Sequence, residues 1–110
     1  MAYDEDLADR IREVVATESG LTEKKMFGGL AFLINGNMAV AASGQGGILL
    51  RCDPADTDKW IAKPHAARMA MRGREMDGWL RIDAPAFTTD ARLKNWVRVG
   101  VDYAGSLPAK

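Results

Sequence analysis

The sequence predicts an α+β domain of two layers, in the order α-β(3)-α-β(2)-α, with one antiparallel five-stranded sheet and its helices mainly on one side. Three observations carry that prediction. Apolar residues recur at helical spacing near both ends, the pair Asn35-Gly36 divides two apolar runs, and two further short runs meet near Gly73.

Asp4, Glu5 and Asp6 place negative charge where a helix N-terminus favours it, and Leu7, Ile11, Val14 and Val15 follow as one stripe. A first helix is therefore expected from Asp4 to Glu18, with Gly20 just past its end. Next, "MFGGLAFLI" and "MAVAAS" flank Asn35-Gly36, with Asn37 extending the second strand. Asn-Gly supplies both positive-φ positions of a type I′ turn, so a hairpin is predicted there. Counting outward from that turn pairs Leu33 with Met38, Ala31 with Val40 and Gly29 with Ala42 on one face. Phe32 with Ala39 and Leu30 with Ala41 fall on the other. Both faces are apolar, which makes the hairpin central in the sheet.

"ILLRC" reads as a third strand, and Asp53 with Pro54 caps and opens a short helix to Ala62, stopped by Pro64. In the following segment Asp77-Gly78 is the poorer turn, since it would set Arg74 opposite Arg81 and Glu75 opposite Leu80. A type II′ turn at Gly73-Arg74 pairs Arg72 with Glu75 and Met71 with Met76. It sorts Met69, Met71, Met76, Leu80 and Ile82 to one face and Arg68, Arg72, Glu75, Asp77, Trp79 and Arg81 to the other. A last helix from Asp90 to Gly105, capped by Thr88 or Thr89, carries the stripe Leu93, Trp96, Val97, Gly100, Val101 and Ala104.

A length of 110 residues fits one domain, 1–110, able to bury a core without disulfides or metals. Fifteen basic and fifteen acidic residues cancel, so no global field draws the chain to nucleic acid or an anionic membrane. Acids nevertheless dominate residues 1–23 and bases the remainder, an asymmetry that suits self-association or an anionic partner. The lone Cys52 and the lack of a secretory h-region predict a reducing, cytoplasmic setting. The longest apolar run, Met26 to Ile34, is too short to span a bilayer.

"EKKMFGGLAFLINGNMAV", "PHAARMAMRGREMDGWLRID" and "WVRVGVDYAGSLPAK" resemble the TfoX N-terminal domain family, also called TfoX/Sxy, over nearly the whole chain. Within it, Met26, Phe27, Gly28, Gly29, Asn35, Gly36, Gly73 and Gly78 stand at motif positions that the resemblance implies to be structural. It also implies a secretion-chaperone-like fold with an antiparallel sheet, and a role akin to that of bacterial regulators of competence and transcription. The chain reads as the N-terminal domain alone, and the family supplies no catalytic residues.

The pair Gly28-Gly29 does not have the order of a phosphate loop, since Lys24 and Lys25 precede it and a strand follows. A close backbone approach or a bulge explains it instead. "GQGG" at Gly44–Gly47 fails in the same way. His65, the only histidine, follows Pro64 and reads as a surface or helix-stop residue; Cys52 lacks the partners of a zinc site and reads as a small buried hydrophobe. Glu75 and Asp77, about 6.5 to 7 Å apart by strand rise, have the spacing of an acid/base pair but stand in a ladder of charges. No enzyme, cofactor or metal is expected. The candidate partner surface is Arg68, Arg72, Trp79 and Arg81 with Lys24 and Lys25, where Arg68 is expected to stack on Trp79. Arginine beside tryptophan suits a protein interface or homodimer, and as an alternative a single-stranded nucleic acid.

Overall fold

The computed structural model describes residues 3–26 and 28–109; Phe27 lies outside the described residues, as does the side chain of Met71. Helix α1 (Glu5–Val15) starts where the Asp4 carboxylate accepts hydrogen bonds from the backbone N–H of Asp6 and Leu7. It buries Leu7, Ala8, Ile11 and Val15. It ends at Val15, earlier than Glu18, and the chain then turns through Gly20 at φ +72°.

Six strands follow where five are expected: β1 (Leu21–Met26), β2 (Gly29–Ile34), β3 (Asn37–Ala42), β4 (Ile48–Arg51), β5 (Ala66–Met71) and β6 (Arg74–Ile82). They form one antiparallel sheet in the order β1-β2-β3-β4-β6-β5. The additional strand is β1, whose Thr-Glu-Lys-Lys centre shows no apolar alternation because it is an edge. Charged residues on an edge also discourage pairing with other chains. Gly28 therefore lies in a turn between two strands, at φ +74°, and not within one long strand. Gly29 lets the backbone of Ala42 approach, since a Cβ there would lie 2.2 Å from the Ala42 carbonyl oxygen.

Asn35 and Gly36 take φ of +53° and +84°, the predicted type I′ turn. Leu33 pairs with Met38 as expected, but a bulge then leaves Ala39 without a partner. Beyond it Phe32 pairs with Val40, Ala31 with Ala41 and Leu30 with Ala42, which corrects the expected pairings Ala31–Val40, Phe32–Ala39, Leu30–Ala41 and Gly29–Ala42. The bulge turns both Ala39 and Val40 into the core.

After β4, Asp53 caps a 3₁₀ turn at Pro54–Asp56 that leads into α2 (Thr57–Ile61). The second hairpin turns at Arg72-Gly73, with φ of +53° and +79°, and not at Gly73-Arg74. This is again the type I′ geometry that suits the twist of paired strands, here with an arginine in the left-handed region. Met71 consequently pairs with Arg74, Ala70 with Glu75 and Met69 with Met76, replacing the expected Arg72–Glu75 and Met71–Met76. A larger irregularity follows. Arg68 pairs with Leu80, so Asp77, Gly78 and Trp79 have no partner on β5. The rejected turn site Asp77-Gly78 is thus a bulge, with Gly78 at φ +85°.

A second 3₁₀ turn (Ala84–Phe87) leads to α3 (Asp90–Ser106), capped by Thr89. Its expected stripe is buried in full: Leu93, Trp96, Val97, Gly100, Val101 and Ala104. With α1 it covers the inner face of the sheet, where Leu30, Phe32, Val40, Ile48, Leu50, Leu80 and Ile82 complete the core. Among the described residues no helix is long and apolar enough to cross a membrane.

Candidate interaction face of the sheet

The face of the sheet turned away from α1 and α3 is also apolar. Ala31, Met38, Ala41 and Leu49 are buried there, with Met26, Leu33, Met69 and Trp79 half-buried around them. Cross-strand pairing adds Met76, opposite Met69, and Lys24, opposite Ala31. Arg51 and Arg81 follow from their pairing with Trp79 and Leu49. Strand alternation sends the carboxylates elsewhere. Glu23 points to the helix side, where Arg12 of α1 donates to it at 2.8 and 2.9 Å and holds its carboxyl below the usual range. Asp77 turns to Arg68, and Glu75 alternates away from Met76. Among the described residues, the strands thus place bases and no carboxylate on this outer face.

Two of those bases are engaged within the domain. The β3–β4 ladder runs only from Ala42↔Ile48 to Val40↔Leu50. Just past its end the Arg51 guanidinium lies 5.0 Å from the Trp79 ring centroid and 5.5 Å from that of Tyr103 on α3, a cation between two aromatic faces. Arg81 donates to the carbonyls of Gln45 and Gly46 and to Ser43 Oγ, which ties down the β3–β4 loop, and it pairs with Asp83 at 3.6 Å. Lys24 is exposed.

The expected cluster Arg68, Arg72, Trp79 and Arg81 is therefore not one surface. Trp79 and Arg81 share the outer face, but Arg68 lies on the inner side of the bulge, bonded to Asp77 at 2.8 Å and to Asp58 of α2. Those two carboxylates raise its pKa. Arg68 does not stack on Trp79; Arg51 does, because the bulge displaces Trp79 out of register with β5. Arg72 is exposed in its turn, and Lys25, opposite Leu30, faces away from Lys24. Met69 and Met76 belong with Trp79 and not with Leu80 and Ile82. Sequence reasoning missed Arg51 and the outer apolar set Leu33, Met38 and Leu49. Their signal was present in the alternation of β2 to β4, which is apolar at both parities.

Gly78 holds the bulge in place. Its N–H donates to Thr57 Oγ1 at 2.8 Å, its carbonyl accepts from the Cys52 N–H at 2.9 Å, and Thr57 Oγ1 donates in turn to the Pro54 carbonyl. This ties β4, α2 and β6 together where Trp79 emerges on the outer face.

The described residues form six strands and three helices in this order, and the TfoX N-terminal domain matches residues 13–104. The chain belongs to the TfoX N-terminal domain family. No curated protein and no solved structure matches it. In this TfoX N-terminal domain the structural motif positions have physical explanations, with Gly28, Gly36, Gly73 and Gly78 at positive φ and Gly29 against a neighbouring strand.

Elsewhere in the domain, Cys52 is fully buried, and burial pushes its thiol pKa up, the reverse of what a nucleophile needs. Its thiol lies beside Thr57 within the core. Glu75 and Asp77 do not form an isolated pair, because Asp77 is bonded to Arg68 and the bulge interrupts their strand. Among the described residues, no three of the His, Cys, Asp and Glu side chains gather in a way that could hold a metal ion. His65 is exposed at φ +66°, its carbonyl accepting from the Asp83 N–H.

Proposed function

We propose that this domain is a non-enzymatic regulatory module of the cytoplasm, acting by protein–protein contact, and that its outer sheet face docks an acidic partner segment bearing apolar anchors. The observation that supports this is the charge of that face: methionines, Leu33 and Trp79 with Lys24 and no strand carboxylate. Apolar surface rimmed by one sign of charge suits a partner of opposite sign, with methionines adapting to the anchors. A symmetric dimer through this face fits less well, since the strands of a second copy would offer Lys24 no carboxylate there. Nucleic acid fits less well too, because Arg51 already lies over the Trp79 ring on which a base would stack. The regulatory role rests on family membership.

The test is to pan a displayed random-peptide library on the purified protein, with Lys24→Glu/Leu33→Glu as the comparison. Enrichment of peptides rich in Asp, Glu and large apolar residues, lost in the double variant, supports the reading. No enrichment, or peptides that bind both proteins equally, overturns it. A dimer that Leu33→Glu dissociates would assign the face to a second copy of the chain. Salt-sensitive binding of single-stranded RNA would assign it to nucleic acid.

A further inference from the structure

On the other side of the sheet, away from the proposed docking face, α2, α3 and the Ala84–Phe87 turn border an open cavity of about 580 Å³. That is within the usual range for small-molecule sites. Two tryptophans line it, Trp60 from α2 and Trp96 from α3, with ring centroids 6.0 Å apart and planes inclined at 61°, and the Lys59 ammonium covers one face of the Trp60 ring at 4.7 Å from its centroid. Trp60 is half-buried and Trp96 nearly buried, and among the described residues neither indole N–H is a fully buried orphan. The polar lining is one-sided. Lys63, His65 and Arg92 border the cavity beside the Asn95 amide, and among the described residues no carboxylate does.

Most of the other arginines are engaged within the domain, and among the described residues Arg72 and Arg74 beside the β5–β6 turn are the exceptions. Arg10, Arg12, Arg68, Arg81 and Arg98 each reach a carboxylate, and Arg51 lies over two aromatic rings. Among the described residues, neither Arg92 nor Lys63 has such a partner. His65, at φ +66°, is held at the rim in a left-handed conformation that a non-glycine residue rarely adopts. The position of its backbone is set by the Asp83 N–H bond to its carbonyl.

We propose that this cavity binds a small aromatic anion, its ring against Trp60 and Trp96 and its acidic group between Arg92 and Lys63. A guanidinium receives a carboxylate or phosphate in two-point geometry, and the Asn95 amide supplies a further donor. The aromatic walls select a planar ring over an aliphatic acid of the same charge. The site is independent of the docking face, and either assignment stands if the other fails.

The test uses ¹⁵N-labelled protein, in which Trp60 and Trp96 report on the cavity and Trp79 on the opposite face. Indole-3-acetate, 4-aminobenzoate and AMP are the anionic probes; indole-3-acetamide, 4-aminobenzamide and adenosine are their neutral counterparts. At least one anion is expected to shift the Trp60 and Trp96 indole N–H signals saturably while leaving Trp79 in place. Its neutral counterpart should bind at least tenfold more weakly. Arg92→Gln, at an exposed helix position, should weaken the anion about tenfold with the spectrum otherwise preserved, and Arg92→Lys should restore part of the loss. The proposal is overturned if no anion saturates at millimolar concentration, if neutral and anionic probes bind alike, or if Arg92→Gln changes nothing.

Discussion

Gly100 of α3 rests directly on the carbonyl of Ala39, the residue that the β2–β3 bulge leaves unpaired: a Cβ on Gly100 would lie 2.2 Å from that oxygen and 2.7 Å from Leu50 Cδ1. The absent side chain and the bulge together let α3 sit close on β3 and β4. Gly100→Ala should therefore destabilise the domain, because a backbone carbonyl cannot step aside as a flexible side chain can. The expected loss is about 1–3 kcal/mol, the range for overpacking, although alanine is the better helix former. Urea unfolding of the variant checks it.

A second prediction concerns the bulge that presents Trp79. Thr57 is buried and its hydroxyl accepts from the Gly78 N–H, so Thr57→Val keeps the shape and removes the acceptor. The stranded N–H should cost about 1–3 kcal/mol. Hydrogen exchange at Gly78 should accelerate, while Thr57→Ser, which retains the hydroxyl, should stay near wild type in both measures.

The Arg12–Glu23 pair links α1 to the edge strand β1 and gives a pH dependence of known sign. Arg12 lowers the folded-state pKa of Glu23 below its ordinary value of 4.5. A group so depressed adds stability above that ordinary value, and the contribution fades as pH falls through the lower folded value. Both side chains are partly solvated, so the effect is small. Glu23→Gln should be slightly less stable than wild type at pH 7, and the two melting curves should converge at acid pH.

Arg81 is a loop clamp, and its removal should be felt locally. Arg81→Ala deletes the bonds to Ser43, Gln45 and Gly46. Amide exchange between Ser43 and Gly47 is expected to quicken, with α1 and α3 unchanged. An unaltered loop would contradict the clamp.

Much of this molecule could be read from residue patterns. The stripe on α3, the cap at Asp53 and the Asn35-Gly36 turn are local devices, and each is found where the pattern puts it. Two of the failures share one cause, which is that bulges reset side-chain parity. One extra residue at Ala39 displaced the pairing of β2 with β3, and the unpaired Asp77–Trp79 segment separated Arg68 from Trp79. Those irregularities are fixed by tertiary partners, the Ala39 carbonyl under Gly100 and the Gly78 bonds to Thr57 and Cys52, which no local window contains. The edge strand β1 was hidden for another reason, since an edge needs no apolar alternation. The aromatic cavity was equally out of sight, because Trp60 and Trp96 come together only through packing of α2 against α3.

On the proposed reading, the outer sheet face receives an acidic, apolar partner segment. The most direct measurement is chemical-shift mapping of the ¹⁵N-labelled domain with a peptide selected by panning. Shifts gathered on Lys24, Ala31, Leu33, Ala41, Leu49 and the Trp79 indole, with the amides of α1 and α3 unmoved, are expected if the partner docks there. Shifts confined to the helical side, or a peptide that binds with no response at Trp79 and Leu33, would contradict it.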